Sequence, residues 1–199
     1  MYFDEALELA CITSVQKDHQ AERFSYERPF RSPHHQTSAA ALIGGGSSIV
    51  PGEISLAHHG MLFLDELPEF PQKSLEALRE PLESGEVHIA RASGHVTFPA
   101  GAQLICAMNP CPCGYFGDVD RPCRCDPRKV RNYQERISGP LLDRIDLFVD
   151  VPRISSDELI EEKTATSSPL VDKHLLQTVR SQQQTRVRQC QGSLTSYEA

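Results

Sequence analysis

Asp65 and Glu66 follow four apolar residues, Met61, Leu62, Phe63 and Leu64, without a break. A continuous apolar run of that length suits a strand buried on both faces of a parallel sheet. Such sheets present ligand-binding groups at their C-terminal edge. Asp65 could there hold Mg2+, directly or through water, while Glu66 orients and polarises a water for attack on a phosphoryl group. The same pattern also fits a buried strand that merely ends in acids, because short motifs match by accident. Asn109 closes a second apolar run, residues 104–108, and is a candidate to position that water. Arg144 precedes a third, residues 145–151, from where it could reach into a neighbouring subunit and stabilise charge on a transferring phosphoryl group. The plainer alternative for Arg144 is an ion pair with Asp143 or Asp146.

Cys111, Cys113, Cys123 and Cys125 form two C-x-C pairs separated by nine residues. Four thiolates in two close pairs are candidate ligands for a tetrahedral Zn2+, although C-x2-C is the more familiar spacing. Pro112, Gly114 and Pro122 favour turns that would bring the pairs together. Unpaired thiols are the competing reading. Cys11, Cys106 and Cys190 read as packing or exposed thiols. Between Arg121 and Arg136 lie six basic residues, which could meet nucleic-acid phosphates, meet an acidic neighbour or stay solvated. His34-His35 and His58-His59 have no standard metal spacing and read as structural or surface residues.

These groups need elements to position them. A helix is expected over residues 4–15, then a polar loop with a short extended piece over 16–35, and a short helix over 37–43 that Gly44-Gly45-Gly46 breaks. After the strand at 61–64, Pro71 starts a helix with Leu75 and Leu78 on one face. Pro81 bends or ends it, and Gly85 closes it. Alternation of Val87, Ile89, Val96 and Phe98 around Ala92-Ser93-Gly94 predicts a β-hairpin. Further strands are expected at 103–108 and 145–151, with a helix over 127–137 between them. Ser155 and Glu158 have capping-box spacing, and Pro169 can start a last helix carrying Val171, Leu175, Leu176 and Val179. Beyond Arg180 the chain is polar, and its end is expected to be disordered.

The 199 residues, 39% of them hydrophobic, suffice for one α/β core and a small appendage. A net charge of −7 excludes a chain that binds nucleic acid through its overall charge, so any DNA contact must be local. No run of 18 apolar residues proposes a membrane helix. The acidic N-terminus, with Asp4, Glu5 and Glu8, does not read as a signal peptide. Seven cysteines in such a chain point to a cytoplasmic protein with a metal site in preference to a disulfide framework.

A set of ordered segments resembles the magnesium-chelatase-like AAA+ ATPases, in their YifB/ComM branch. They are Arg28-Pro29-Phe30-Arg31-Ser32-Pro33-His34-His35, Leu42-Ile43-Gly44-Gly45-Gly46, Pro51-Gly52-Glu53-Ile54-Ser55, Leu62-Phe63-Leu64-Asp65-Glu66-Leu67, Met108-Asn109-Pro110-Cys111-Pro112-Cys113-Gly114 and Gly139-Pro140-Leu141-Leu142-Asp143-Arg144-Ile145-Asp146. The resemblance implies an AAA+ three-layer α/β sandwich, present in part over residues 1–153, followed over 154–199 by the start of a helical lid. It implies that Asp65 and Glu66 match Walker B, Asn109 sensor 1 and Arg144 the arginine finger. The 86–98 hairpin matches the pre-sensor-1 hairpin and residues 44–54 the helix-2 insert. Both insertions would face a ring pore, which makes Arg91 and His95 DNA-contact candidates. The implied protein is a homo-hexameric DNA motor using ATP and Mg2+, helicase-like, that drives branch migration during natural transformation. A magnesium-chelatase ATPase subunit that remodels a protein partner and a non-catalytic zinc-binding interaction module are the alternatives. None of the five lysines follows a glycine, so the Walker A pattern G-x-x-x-x-G-K-[ST] is absent from these residues. The expectation is a portion of a longer protein, starting after Walker A and inactive as an ATPase by itself.

Overall fold

The computed structural model describes residues 1–16, 24–46, 49–91, 94–118, 120–151 and 172–195. The chain divides into two compact units, Met1–Asp150 and Val151–Ala199. The first unit is mixed α/β and carries a partial core of the AAA+ type.

Its parallel sheet has three strands in the order β1 (Phe30–Arg31), β2 (Met61–Leu64), β5 (Gln103–Cys106). Met61 pairs with Phe30 on one side and Gln103 on the other, and Leu64 pairs with Cys106. Leu62 and Leu64 are almost wholly buried, as a central strand covered on both faces requires. The crossover from β1 to β2 runs through α2 (Ala39–Ile43) and α3 (Glu53–Leu56). Ser38 caps α2 by accepting the Ala41 N–H. Arg31 and Glu53 form a two-point ion pair at 2.7 and 2.9 Å that ties α3 to β1.

From β2 to β5 the chain passes through α4 (Gln72–Ala77), α5 (Arg79–Ser84) and the antiparallel hairpin β3 (Glu86–Arg91)–β4 (Gly94–Pro99). Pro81 has no N–H and its ring would crowd the carbonyl four residues back, so the expected single helix is split at Leu78. Gly85 ends α5 in the left-handed region at φ 74°, which lets the chain turn straight into β3. Val87, Ile89 and Phe98 of the hairpin join Leu42, Ile54, Leu62, Leu64, Leu75, Leu78 and Leu141 in one core. α1 (Phe3–Ser14) is held to this core by Glu8, which meets the His58 ring at 3.1 Å and the His59 ring at 2.8 Å. After β5 come α6 (Pro127–Gln134) and α7 (Gly139–Leu142).

One expectation needs correction. Residues 145–151 are not a strand: they pair with none of the described strands, and Leu147, Phe148 and Val149 are 82, 71 and 79% exposed. Apolar character alone cannot make a strand, whose N–H and C=O groups need a ladder partner. In the second unit α8 spans Lys173–Thr195, and the chain end beyond it, expected to be disordered, lies outside the described residues. Asp172 precedes α8, and its carboxylate accepts the His174 N–H at 2.9 Å. The expected capping box at Ser155 and Glu158 lies outside the described residues, as does Val171. Among the described residues no helix is long and apolar enough to cross a membrane.

Candidate nucleotide edge and cysteine cluster

Asp65 and Glu66 follow directly on β2, and both are exposed at the end of the sheet. The Asp65 carboxylate accepts the Glu66 N–H at 2.8 Å. Glu66 lies in the left-handed region, φ 52° and ψ 45°, where a side chain other than glycine is disfavoured. Bonds on either side hold it there. Leu67 N–H donates to the Ala107 carbonyl at 3.0 Å, across to the chain beyond β5, and Glu69 N–H donates to the Glu66 carbonyl at 2.7 Å. The Glu66 carboxylate meets the His35 Nδ1 at 3.0 Å. His35 is a partner that the sequence reading left among surface residues. Only its place in the segment leading out of β1 hints at it, since β1 runs parallel to β2 and ends at the same edge.

Asn109 is exposed three residues beyond β5. Because β2 and β5 are neighbours in register, Asp65, Glu66 and Asn109 all stand past the C-terminal ends of adjacent strands. Arg144 is elsewhere: its guanidinium pairs with Glu83 of α5 at 2.5 Å, in place of the Asp143 or Asp146 that proximity in sequence suggests. Glu83 lines an open cleft with Glu76, Arg79, Glu80 and Ser84.

Arg91 and His95 are both exposed near the tip of the hairpin. The strand register puts them on opposite faces, since Arg91 shares a face with Val87 and Ile89 while His95 is paired with Ala90. A Cβ on Gly45 would lie 3.6 Å from the Arg91 guanidinium and 3.9 Å from Ile89, so the glycine segment and the hairpin tip are neighbours.

The four cysteines of the loop converge. Cys111 Sγ is 3.4 Å from Cys113 Sγ and 3.7 Å from Cys123 Sγ, and Cys113 Sγ is 3.6 Å from Cys123 Sγ. All four sulfurs, with that of Cys125, lie within 4.8 Å of one another. They are free thiols. Four sulfurs about 2.3 Å from a tetrahedral Zn2+ would be about 3.8 Å apart, so the observed spacing fits a four-thiolate metal centre. The thiols do not titrate alike. Backbone N–H groups of Tyr115 and Arg124 stabilise the Cys113 thiolate and bring it down to about 6. The Cys125 N–H also favours a Cys123 thiolate, but burial and the neighbouring thiols outweigh it and push Cys123 up to about 12. Burial, then Cys113, raises Cys125. A divalent cation would favour the loss of protons from these thiols.

The cluster sits between the sheet edge and α6. Cys111 is completely buried two residues beyond Asn109. Cys125 precedes Asp126, whose carboxylate caps α6 through the Arg128 N–H at 2.8 Å. At its other end α6 returns to the edge: Gln134 Nε2 donates to the Pro110 carbonyl at 3.0 Å, and Arg136 pairs with Glu69 at 3.0 Å. Tyr133 is buried between them, and burial, followed by Glu69 and Glu66, raises its hydroxyl above the ordinary value.

Glu8, His58 and His59 also lie within 4.8 Å of one another. His58 Nδ1 accepts the Gly101 N–H at 3.0 Å, so its neutral ring carries the proton on Nε2, which faces Glu8. A protonated Nε2 donates to the carboxylate and has no lone pair for a metal, so the trio is a clamp on α1.

The family model described as magnesium chelatase, subunit ChlI, matches residues 1–159. The chain belongs to this magnesium-chelatase family and is of the YifB/ComM type. It is 50% identical over 149 residues to the uncharacterized protein YifB of Escherichia coli (strain K12), covering 75% of this chain and 29% of that relative. It is 44% identical over 196 residues to the competence protein ComM of Haemophilus influenzae, covering 98% of this chain and 38% of that relative. A more distant match, 30% over 121 residues, is to the DNA replication licensing factor mcm6 of Dictyostelium discoideum, covering 59% of this chain and 13% of that protein. The chain thus spans about a third of the length of the YifB and ComM relatives, and 13% of mcm6.

Proposed function

We propose that this chain supplies the hydrolytic edge of a ring-forming AAA+ ATPase that moves on branched DNA. The observation that carries this reading is the pair Asp65-Glu66 standing past β2, beside Asn109 past the adjacent parallel strand. Residues 1–153 are the partial ATPase core and 154–199 the start of a lid. Mg2+ held by Asp65 would neutralise charge on the nucleotide phosphates. Glu66 polarises the attacking water, whose oxygen bonds to the γ-phosphorus as the bond to the bridging oxygen breaks, releasing ADP and phosphate. Asn109 orients that water. Arg144 leaves Glu83 and stabilises the transferred group in the neighbouring subunit of a homo-hexamer. We read the four-cysteine cluster as a structural Zn2+ site, supported by the sulfur spacing. The protein works in the cytoplasm. These residues without a phosphate-binding loop do not turn over ATP.

Movement on DNA is supported by the words competence and DNA replication licensing in the names of two relatives, and by exposed Arg91 and His95 on the hairpin. The family description supports a second reading, a chelatase-type ATPase that remodels a protein. The two are separated by ATP turnover of the protein at full expressed length, with and without a four-way DNA junction. Stimulation by the junction is expected. Turnover indifferent to DNA would favour the remodeller, and bound zinc with no turnover would leave a non-catalytic interaction module.

A further inference from the structure

Among the described residues of the loop 111–125 there is little apolar burial beyond Cys111, yet both ends of the loop are anchored at the candidate nucleotide edge. We propose that the metal held by Cys111, Cys113, Cys123 and Cys125 is a clip that fastens the end of β5 to the start of α6, and that α6 carries this constraint to Asn109 and to the turn after Glu66. The proposal rests on the zinc reading above and adds a purpose to it.

The connection can be followed atom by atom. Cys111 is joined to Asn109 through Pro110 alone, and a Cβ on Gly114 would lie 3.9 Å from the Asn109 Oδ1. The sulfurs of Cys111 and Cys123 are 3.7 Å apart, which brings the two halves of the loop together. Cys125 then leads directly into Asp126, the cap of α6. At the far end of the helix, Gln134 holds the Pro110 carbonyl and Arg136 holds Glu69, three residues beyond Glu66. Tyr133, 6% exposed, packs on the face between these contacts. The circuit therefore starts at Asn109, crosses the cluster, runs along α6 and ends at the Glu66 turn.

Without the metal, the loop retains a few local bonds. The Gly114 N–H donates to the Cys111 carbonyl at 2.9 Å, and the Asp120 and Arg121 N–H groups donate to the Asp118 carboxylate at 2.8 and 2.9 Å. Exposed bonds of this kind open readily. Metal-ligand bonds between four side chains close the same segment far more firmly.

The test uses the protein at full expressed length. Zinc content is measured, the metal is withdrawn with a chelator and returned as Zn2+, and amide exchange is followed by segment. Withdrawal is expected to speed exchange about tenfold or more in residues 127–137 and 66–69, with the β3–β4 hairpin unchanged and recovery on adding Zn2+. An Arg136→Ala variant is expected to keep its zinc, and withdrawing the metal from it is then expected to speed exchange in residues 127–137 with no further change in 66–69, which isolates the link from α6 to the Glu66 turn. Exchange confined to residues 111–125 after withdrawal would overturn the clip and leave the zinc reading standing. Purified protein that holds no zinc and takes none up would overturn both. The exchange readout does not depend on ATP turnover, so failure of the ATPase reading is seen separately.

Discussion

Glu66 is the residue at which sequence and backbone agree on something unusual. Holding a glutamate in the left-handed region costs about 1–3 kcal/mol, a cost usually met where a side chain must be aimed. Its N–H is taken by Asp65 and its carbonyl by Glu69, so the strain is fixed locally. His35 was not legible, because a pair 31 residues apart leaves no spacing signal. Glu83 opposite Arg144 was missed for the same reason, whereas the acids themselves were plain from the apolar run before them. At the α1 clamp a pH dependence follows. Burial, against the pull of Glu8, lowers His58 from 6.5, and hydrogen bonds from His59 and His58 lower Glu8 from 4.5. For His58 the unfolded chain binds a proton more readily than the folded one, so stability is full above 6.5 and declines as pH falls below it. Glu8 acts in the same direction, its contribution being lost as pH drops below 4.5. Protection of the amides in Phe3–Ser14, corrected for the intrinsic pH dependence of exchange, is therefore expected to fall between pH 7 and pH 5 more than in β2, and equal loss in both would count against the clamp.

At the scale of elements, β2, the hairpin and α6 were readable because each has a strong local signature: an apolar run, alternation about a turn, and a Pro-led helix after Asp126. β1 was legible only as a short extended piece somewhere in residues 16–35, since two residues offer no period and the strand exists through its pairing with β2. The reverse error at residues 145–151 has the same physical origin, for pairing is not written in the residues of one strand. The convergence of the two C-x-C pairs was left open by spacing alone, because the turns between them decide it. The hairpin makes a separable prediction. Arg91 and His95 occupy opposite faces, so one DNA strand running along one face meets only one of them. Arg91, next to Gly45 of the other insertion, is the better placed. In the full-length protein Arg91→Ala is expected to weaken DNA binding and to lower the salt dependence of binding by about one charge, with His95→Ala much weaker in effect. Equal effects of the two, read from binding titrations at several salt concentrations, would put both residues on a common path and contradict the face assignment.

For the whole molecule, a net charge of −7 means that the DNA contact proposed above would have to be concentrated at few places. Under the proposed function the site is shared between neighbouring subunits. Arg144 is held by Glu83, and under the proposed function it would leave that partner to serve the next subunit. The most direct measurement mixes two full-length variants, Glu66→Gln and Arg144→Ala, each expected to lower ATP turnover ~10²-fold or more alone. In randomly mixed rings about a quarter of the interfaces join an intact Glu66 to an intact Arg144 from the next subunit. Turnover recovered on mixing is the predicted result. Mixtures as silent as the separate variants would mean that Arg144 does not act across the interface, and would contradict the shared site.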